Sequence, residues 1–146
     1  MKKEAKFRLT KHIEFLKDEL KDYENFKSLS WEEYKTNRNR RRDAERWIEN
    51  IVNSSIDIAK IILTSEELPL ADTYKDMIVS LSLVSIFNKE DMERLSKWVR
   101  LRNIISHEYL DIRWSSIKKF ISETEPSYED FLNRVRKYLE AKIESI

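Results

Sequence analysis

The stretch Arg102-Asn103-Ile104-Ile105-Ser106-His107-Glu108-Tyr109 gathers an arginine, an amide, one of only two histidines and a tyrosine within eight residues. A histidine with an unperturbed pKa of about 6.5 can take or give a proton at neutral pH. An arginine keeps its charge and presents a planar fork of donors that suits phosphate oxygens. On a helix each residue advances about 100°, so Asn103 and His107 project together, as do Arg102 and Tyr109. If the helix reaches Tyr109, all four groups occupy one side, displaced from the stripe of Trp98, Leu101 and Ile105. A side turned away from its own core meets solvent, a ligand or another subunit. The same residue types also fit a plain exterior. A histidine near a helix C-terminus is stabilised as imidazolium by the dipole, and a tyrosine commonly packs at a rim.

The elements that hold this stretch are helices. The chain has 146 residues, no glycine, no cysteine and two prolines. Without glycine there is no Walker-type loop, dinucleotide fingerprint or nucleophile elbow, and hairpins with primed turns are hard to build. Without cysteine there are no disulfides, thiolate nucleophiles or iron–sulfur clusters. Two histidines argue against a histidine-rich metal site, and no cofactor is expected. The composition fits a reducing cytoplasm, and no signal peptide, spanning helix or membrane partner is expected. The net charge of +1 makes any basic footprint local. These features predict an all-α bundle forming one domain over residues 1–146.

A first helix is predicted from about Glu4 to Ser28, with Leu9, Ile13, Leu16, Leu20 and Tyr23 as its apolar stripe. His12 lies beside that stripe and reads as an ordinary partly buried or surface residue. Ser30-Trp31-Glu32-Glu33 has the capping-box form and opens a second, long helix that runs uninterrupted to about Thr64. Its second half is apolar, with Trp47, Ile48, Ile51, Ile58, Ala59 and Ile62. After Leu68-Pro69, Asp72 or Thr73 can cap a third helix from about Tyr74 to Phe87, buried through Met77, Ile78, Leu81, Val84 and Ile86. A fourth helix starts near Glu90 and continues through the opening stretch. Asp111 is expected to cap a short helix from about Arg113 to Ser122. Glu125-Pro126 begins the last, with Phe131, Val135, Tyr138 and Leu139 inward.

The first half of the second helix carries Lys35, Arg38, Arg40, Arg41, Arg42 and Arg46. Arg38, Arg42 and Arg46 are spaced four apart and share a face. One reading is a solvated face with intrahelical partners in Asp43 and Glu45. The other is a local phosphate-binding strip.

The spacing Arg102-Asn103, three residues, His107, one residue, Tyr109 resembles the Arg-Asn-x-x-x-His-x-Tyr motif of the HepT toxins. These are a branch of the HEPN helical superfamily, encoded beside a MntA-type nucleotidyltransferase antitoxin. Glu45-Arg46 and Ile56-Asp57-Ile58-Ala59 resemble the second helix of that family. Leu68-Pro69 followed by Tyr74-Lys75-Asp76 resembles its next connection, and Tyr109-Leu110-Asp111-Ile112 the segment closing its site. The resemblance covers roughly Ala44 to Ile121, and the arginine run from Arg38 to Arg42 is not part of that signature.

The resemblance implies a HEPN-type bundle of four main helices plus C-terminal helices, forming a homodimer. It implies a metal-independent ribonuclease toxin whose tyrosine is adenylylated by the partner nucleotidyltransferase. In those terms Arg102 and His107 cleave RNA through the ribose 2′-hydroxyl, Asn103 orients phosphate or imidazole, and Tyr109 is the silencing site. One chain supplies one such histidine, and a two-fold dimer would supply the second. With RNA as substrate, Arg38, Arg41, Arg42 and Arg46 become a candidate RNA path. The competing reading is a non-catalytic HEPN module that binds nucleotides or presents a substrate to a nucleotidyltransferase; such a module need not keep the Arg102/His107 pair.

Overall fold

Apolar residues at spacings of three and four need partner helices to cover them, and the chain supplies these in close succession. A computed structural model describes residues 1–144. It contains α1 (Lys3–Lys21), α2 (Tyr23–Phe26), α3 (Trp31–Thr36), α4 (Arg38–Ser65), α5 (Tyr74–Ser80), α6 (Lys89–Ser96), α7 (Val99–His107), α8 (Trp114–Glu123) and α9 (Glu125–Glu144). Short 3-10 turns occupy Leu81–Leu83 and Tyr109–Asp111. The described residues contain no strand, and none of their helices is long and apolar enough to cross a membrane. The all-α expectation holds.

The 28 residues of α4 span about 42 Å and form the axis of the bundle. Against it pack α1, α3, α5, α7 and α8, while α9 lies along α1, α6 and α8. Every apolar position expected to face inward on the first, second and last helices is buried. An aromatic cluster joins distant parts of the chain. The Trp47 ring meets Tyr23 at 4.7 Å and Phe120 at 5.6 Å, both edge-on. Trp98 meets Phe120 edge-on at 5.2 Å. The polar atoms of Trp47 and Tyr23 are satisfied too. Trp47 Nε1–H donates to the Glu19 carbonyl at 2.8 Å. The Tyr23 and Thr124 hydroxyls lie 2.5 Å apart, and Thr124 donates onward to the Phe120 carbonyl. Burial holds the Tyr23 phenol well above its usual pKa.

Several expected boundaries are corrected. The first helix stops at Lys21, with Tyr23–Phe26 as a separate turn. The long second helix is two helices. Asn37 leaves the helical region (φ −97°, ψ 97°), and its side chain accepts from the Arg40 amide to cap α4. The hydroxyl half of the predicted capping box forms, as Ser30 Oγ accepts from the Glu33 amide, but the Glu33 carboxylate pairs with Arg40. The third helix is capped by Thr73 and ends at Ser80. A 3-10 turn and extended Val84 follow, so Ile86 is only half-buried. The fourth helix is divided at Lys97–Trp98, where the Trp98 amide bonds to Leu95 three residues back and the Ser96 hydroxyl takes the Glu93 carbonyl. Asp111 does not cap α8. Arg113 is the residue at its start, and it makes no side-chain cap.

The end of α4 shows how a chain without glycine turns. Leu68 donates to the Leu63 carbonyl and Glu67 to that of Thr64, the Schellman pattern, which puts Glu67 at φ 58°. A side chain with a Cβ is disfavoured there by about 1 kcal/mol. Glu67→Gly should therefore raise the unfolding free energy by about 1 kcal/mol in urea titration. An unchanged or lower midpoint would show that this left-handed turn is not populated in solution.

Candidate functional site

Residues Glu45, Glu49 and Asn53 recur every four positions along α4 and form one polar row beside its apolar stripe. Each holds a side chain of another element, α3 for the first and α7 for the other two. Glu45 accepts from the Tyr34 hydroxyl of α3 at 2.5 Å. Glu49 accepts from the Ser106 hydroxyl of α7. Asn53 Oδ1 accepts from Arg102 Nε at 2.7 Å. Burial, with the Glu45 carboxylate beside it, holds the Tyr34 phenol well above its ordinary pKa.

Arg102 is thus fixed on several sides. Its Nη1 donates to Asn103 Oδ1 at 3.0 Å, and its guanidinium carbon lies 5.4 Å from the Tyr74 ring centre. The ammonium of Lys60 lies 4.9 Å from the same ring centre, so two cations share one aromatic face or edge. Nη2 of Arg102 has no partner among the described residues, leaving an edge of the fork available to an anion. Arg102 and Ser106 are one turn apart and face α4, whereas Asn103 and His107, also one turn apart, are exposed. His107 is the last residue of α7. The other histidine, His12, lines a separate groove beside Asn50 and Asn53.

Tyr109 departs from the predicted arrangement. The helix does not reach it: Glu108 takes φ −126°, ψ 46°, and Tyr109 begins a 3-10 turn. The chain must reverse within a few residues to bring half-buried Ile112 and Trp114 back onto the bundle. The phenol therefore does not share the helical face of Arg102. It lies in the wall of a cleft of about 740 Å³ with Arg38, Arg41 and Arg42 of α4 and with Tyr34 and Trp114. Of the six tyrosines, only Tyr74 and Tyr109 are exposed, at 40% and 71%.

The structure brings Arg38, Arg41 and Arg42 together with Tyr109, while Arg46 is not in that cleft and acts electrostatically on Glu19 of α1. The expected partners Asp43 and Glu45 form no ion pair with the run among the described residues. Arg40 instead binds Glu33 and Asn25. Sequence reasoning missed Glu49, Asn53 and Ser106. The strict spacing of four from Glu45 through Glu49 to Asn53 was the available signal. Among the described residues no three histidine, aspartate or glutamate side chains converge as a metal site.

A family model described as HepT-like, "Ribonuclease HepT-like", matches residues 16–135. No curated protein sequence matches the chain. Among solved structures, a tri-AMPylated Shewanella oneidensis HEPN toxin in complex with MNT antitoxin is similar at 18% identity and a TM-score of 0.78, over 88% of this chain and 96% of that one. The cytosolic protein of unknown function YutE from Bacillus subtilis is similar at 16% identity and a TM-score of 0.82, over 95% and 93%. A toxin–antitoxin structure with AMP-PNP is similar at 17% identity and a TM-score of 0.75, over 87% and 96%. At such identities these likenesses establish the fold.

Removing the Ser106 hydroxyl leaves the half-buried Glu49 carboxylate short of a donor. Ser106→Ala should lower stability by about 1–3 kcal/mol in urea titration, and adding Glu49→Gln should recover part of the loss. Equal stability of Ser106→Ala and the parent would mean that this contact does not hold α7 in solution.

Proposed function

This chain belongs to the HepT-like ribonuclease family, and from that premise we propose that it is a metal-independent endoribonuclease toxin silenced by adenylylation of Tyr109. The observation that carries the reading is the tethered Arg102, with its Nη2 uncommitted beside the exposed face of Asn103 and His107.

The ribose 2′-oxygen attacks the adjacent phosphorus, and His107 takes the 2′-hydroxyl proton. The bond from phosphorus to the 5′-oxygen breaks, and an acid returns a proton to that oxygen. The products are a 2′,3′-cyclic phosphate and a 5′-hydroxyl. Arg102 neutralises the charge that builds on the phosphorane oxygens. It needs no reorientation to do so, because Asn53 and Tyr74 already fix its plane. Asn103 braces the guanidinium and orients the phosphate. His107 of a second copy, related by a two-fold axis, serves as the acid while the first serves as base. The arginines Arg38, Arg41, Arg42 and Arg46 extend the path for the RNA backbone, so affinity falls steeply with salt.

Two of the similar structures are of toxins bound to antitoxins, one of them AMPylated. This supports a MntA-type nucleotidyltransferase as partner here. Tyr109 suits the modification because its ring is open to an approaching active site. Its phenol oxygen bonds to the α-phosphorus of ATP, the bond to the β-phosphate bridge breaks, pyrophosphate leaves and the phenol proton passes to solvent. The added bulk and negative charge then obstruct RNA.

In EDTA, His107→Ala and Arg102→Ala should each lower RNA cleavage by roughly a hundred- to ten-thousand-fold while the protein stays folded. Product ends should be cyclic phosphate and 5′-hydroxyl. Undiminished cleavage by purified His107→Ala protein would remove histidine from the chemistry and favour the non-catalytic reading. Co-expression with the nucleotidyltransferase should add discrete adenylate mass steps to the parent chain and none to Tyr109→Phe. A mass gain by Tyr109→Phe would move the modification elsewhere.

A further inference from the structure

The cleft beside Tyr109 is built for more than access to a phenol. On one side stands an aromatic shelf. Trp114 lies 5.1 Å from Tyr34 and 6.3 Å from Trp31, each tilted by 38°. Trp31 is 52% exposed, an unusual position for a large apolar ring that nothing covers. The same cleft is lined by Lys35, Arg38, Arg41, Arg42 and Arg113. The one carboxylate in the wall, Glu45, already accepts from Tyr34. None of these five cationic side chains makes a hydrogen bond or ion pair among the described residues. Arg40, on the same turn of α4, is by contrast fully engaged. Five like charges around one cavity repel one another until an anion enters.

Aromatic rings and unpaired arginines in one cleft match the two halves of a nucleotide. A base stacks on tryptophan or tyrosine regardless of its identity, and a phosphate takes the guanidinium forks. The volume of about 740 Å³ lies within the range of small-molecule sites. The occupant is indicated by Tyr109, which stands in the cleft wall itself. A nucleotide joined to its oxygen enters intramolecularly, at an effective concentration on the order of millimolar.

We infer that this cleft is a nucleotide cradle that seats the adenosine monophosphate carried by Tyr109, its base on the Trp31–Trp114 shelf and its phosphate among the arginines of α4 and Arg113. The inference rests on the reading of Tyr109 as the adenylylated residue. Seating the nucleotide neutralises part of the arginine strip and covers its aromatic shelf. The modification then withdraws a segment of the RNA path as well as obstructing the site. An RNA strand carries the same base-and-phosphate chemistry, so the test must separate the two sources.

The test titrates the unmodified full-length chain with adenosine 5′-monophosphate and follows tryptophan fluorescence. Saturable quenching is expected, weakened about tenfold for each arginine removed in Arg38→Gln and Arg42→Gln. Both side chains are exposed, so the variants should fold, and circular dichroism checks this. Protein adenylylated by co-expression should start quenched and should bind no further nucleotide. Failure of the unmodified chain to bind the nucleotide, or binding unchanged in the arginine variants, overturns the cradle. An adenylylated chain that still binds added nucleotide as the unmodified one does overturns the tethered seat. So does an adenylylated chain that still binds a short 2′-deoxyoligonucleotide through Arg38 and Arg42, which would assign the cleft to RNA. Intact mass is read in parallel. A chain that gains no adenylate defeats the reading of Tyr109 and the tethered seat together, while the titration of the unmodified chain decides separately whether the cleft takes nucleotides.

Discussion

The site depends on how a nine-residue helix is held. Only Val99 and Leu101 of α7 are fully buried, too little apolar surface to fix its position along α4. The polar contacts of Arg102 with Asn53 and of Ser106 with Glu49 supply what is missing. They are directional, so they set both the rotation and the height of α7. A buried or half-buried polar group that loses its partner is penalised more than the bond itself stabilises. Slippage of α7 by one turn would exchange these pairs for one of Arg102 with Glu49 or of Ser106 with Asn53, and would leave the other two groups unmatched.

The same contacts divide the faces of α7. Arg102 and Ser106 turn toward α4, so Asn103 and His107 must turn outward. The aromatic cluster acts at the other end of the helix. Trp98 sits at the start of α7 and packs edge-on against Phe120 of α8, while Trp47 ties Phe120 to Tyr23. One end of α7 is therefore anchored by rings and the other by hydrogen bonds. Asn103 and His107 project outward from the middle and the C-terminal end of α7.

Helix α4 serves two regions with two chemistries. Its later turns bury Ile48, Ile51, Ile58 and Ile62 completely. Its first turns present arginines to the cleft that Tyr109 borders. The polar row of Glu45, Glu49 and Asn53 connects them, since each member holds a piece of the surrounding site: α3 through Tyr34 and α7 through Ser106 and Arg102. The cleft and the Arg102 site are thus two consecutive stretches along one rigid rod.

Much of this was legible in the chain. The absence of glycine and cysteine excluded whole classes of chemistry, the spacing of apolar residues located the core, and the motif from Arg102 to Tyr109 pointed to a family. What misled was continuity. No proline or glycine marks a break at Asn37 or Trp98. Each break joins a local contact, the Asn37 side chain on the Arg40 amide and the Ser96 hydroxyl on the Glu93 carbonyl, to packing against residues distant in sequence: α3 leans its aromatic rings on Trp114, and Trp98 lodges against Phe120. Helical phasing placed Asn103 opposite the core correctly, because both it and His107 lie within α7. It placed Tyr109 wrongly because phase carries information only while the helix lasts. Local periodicity thus determined which residues would be buried and which polar groups were candidates. Which of these groups meet was decided by packing between segments far apart in the chain, an energy that no local window contains.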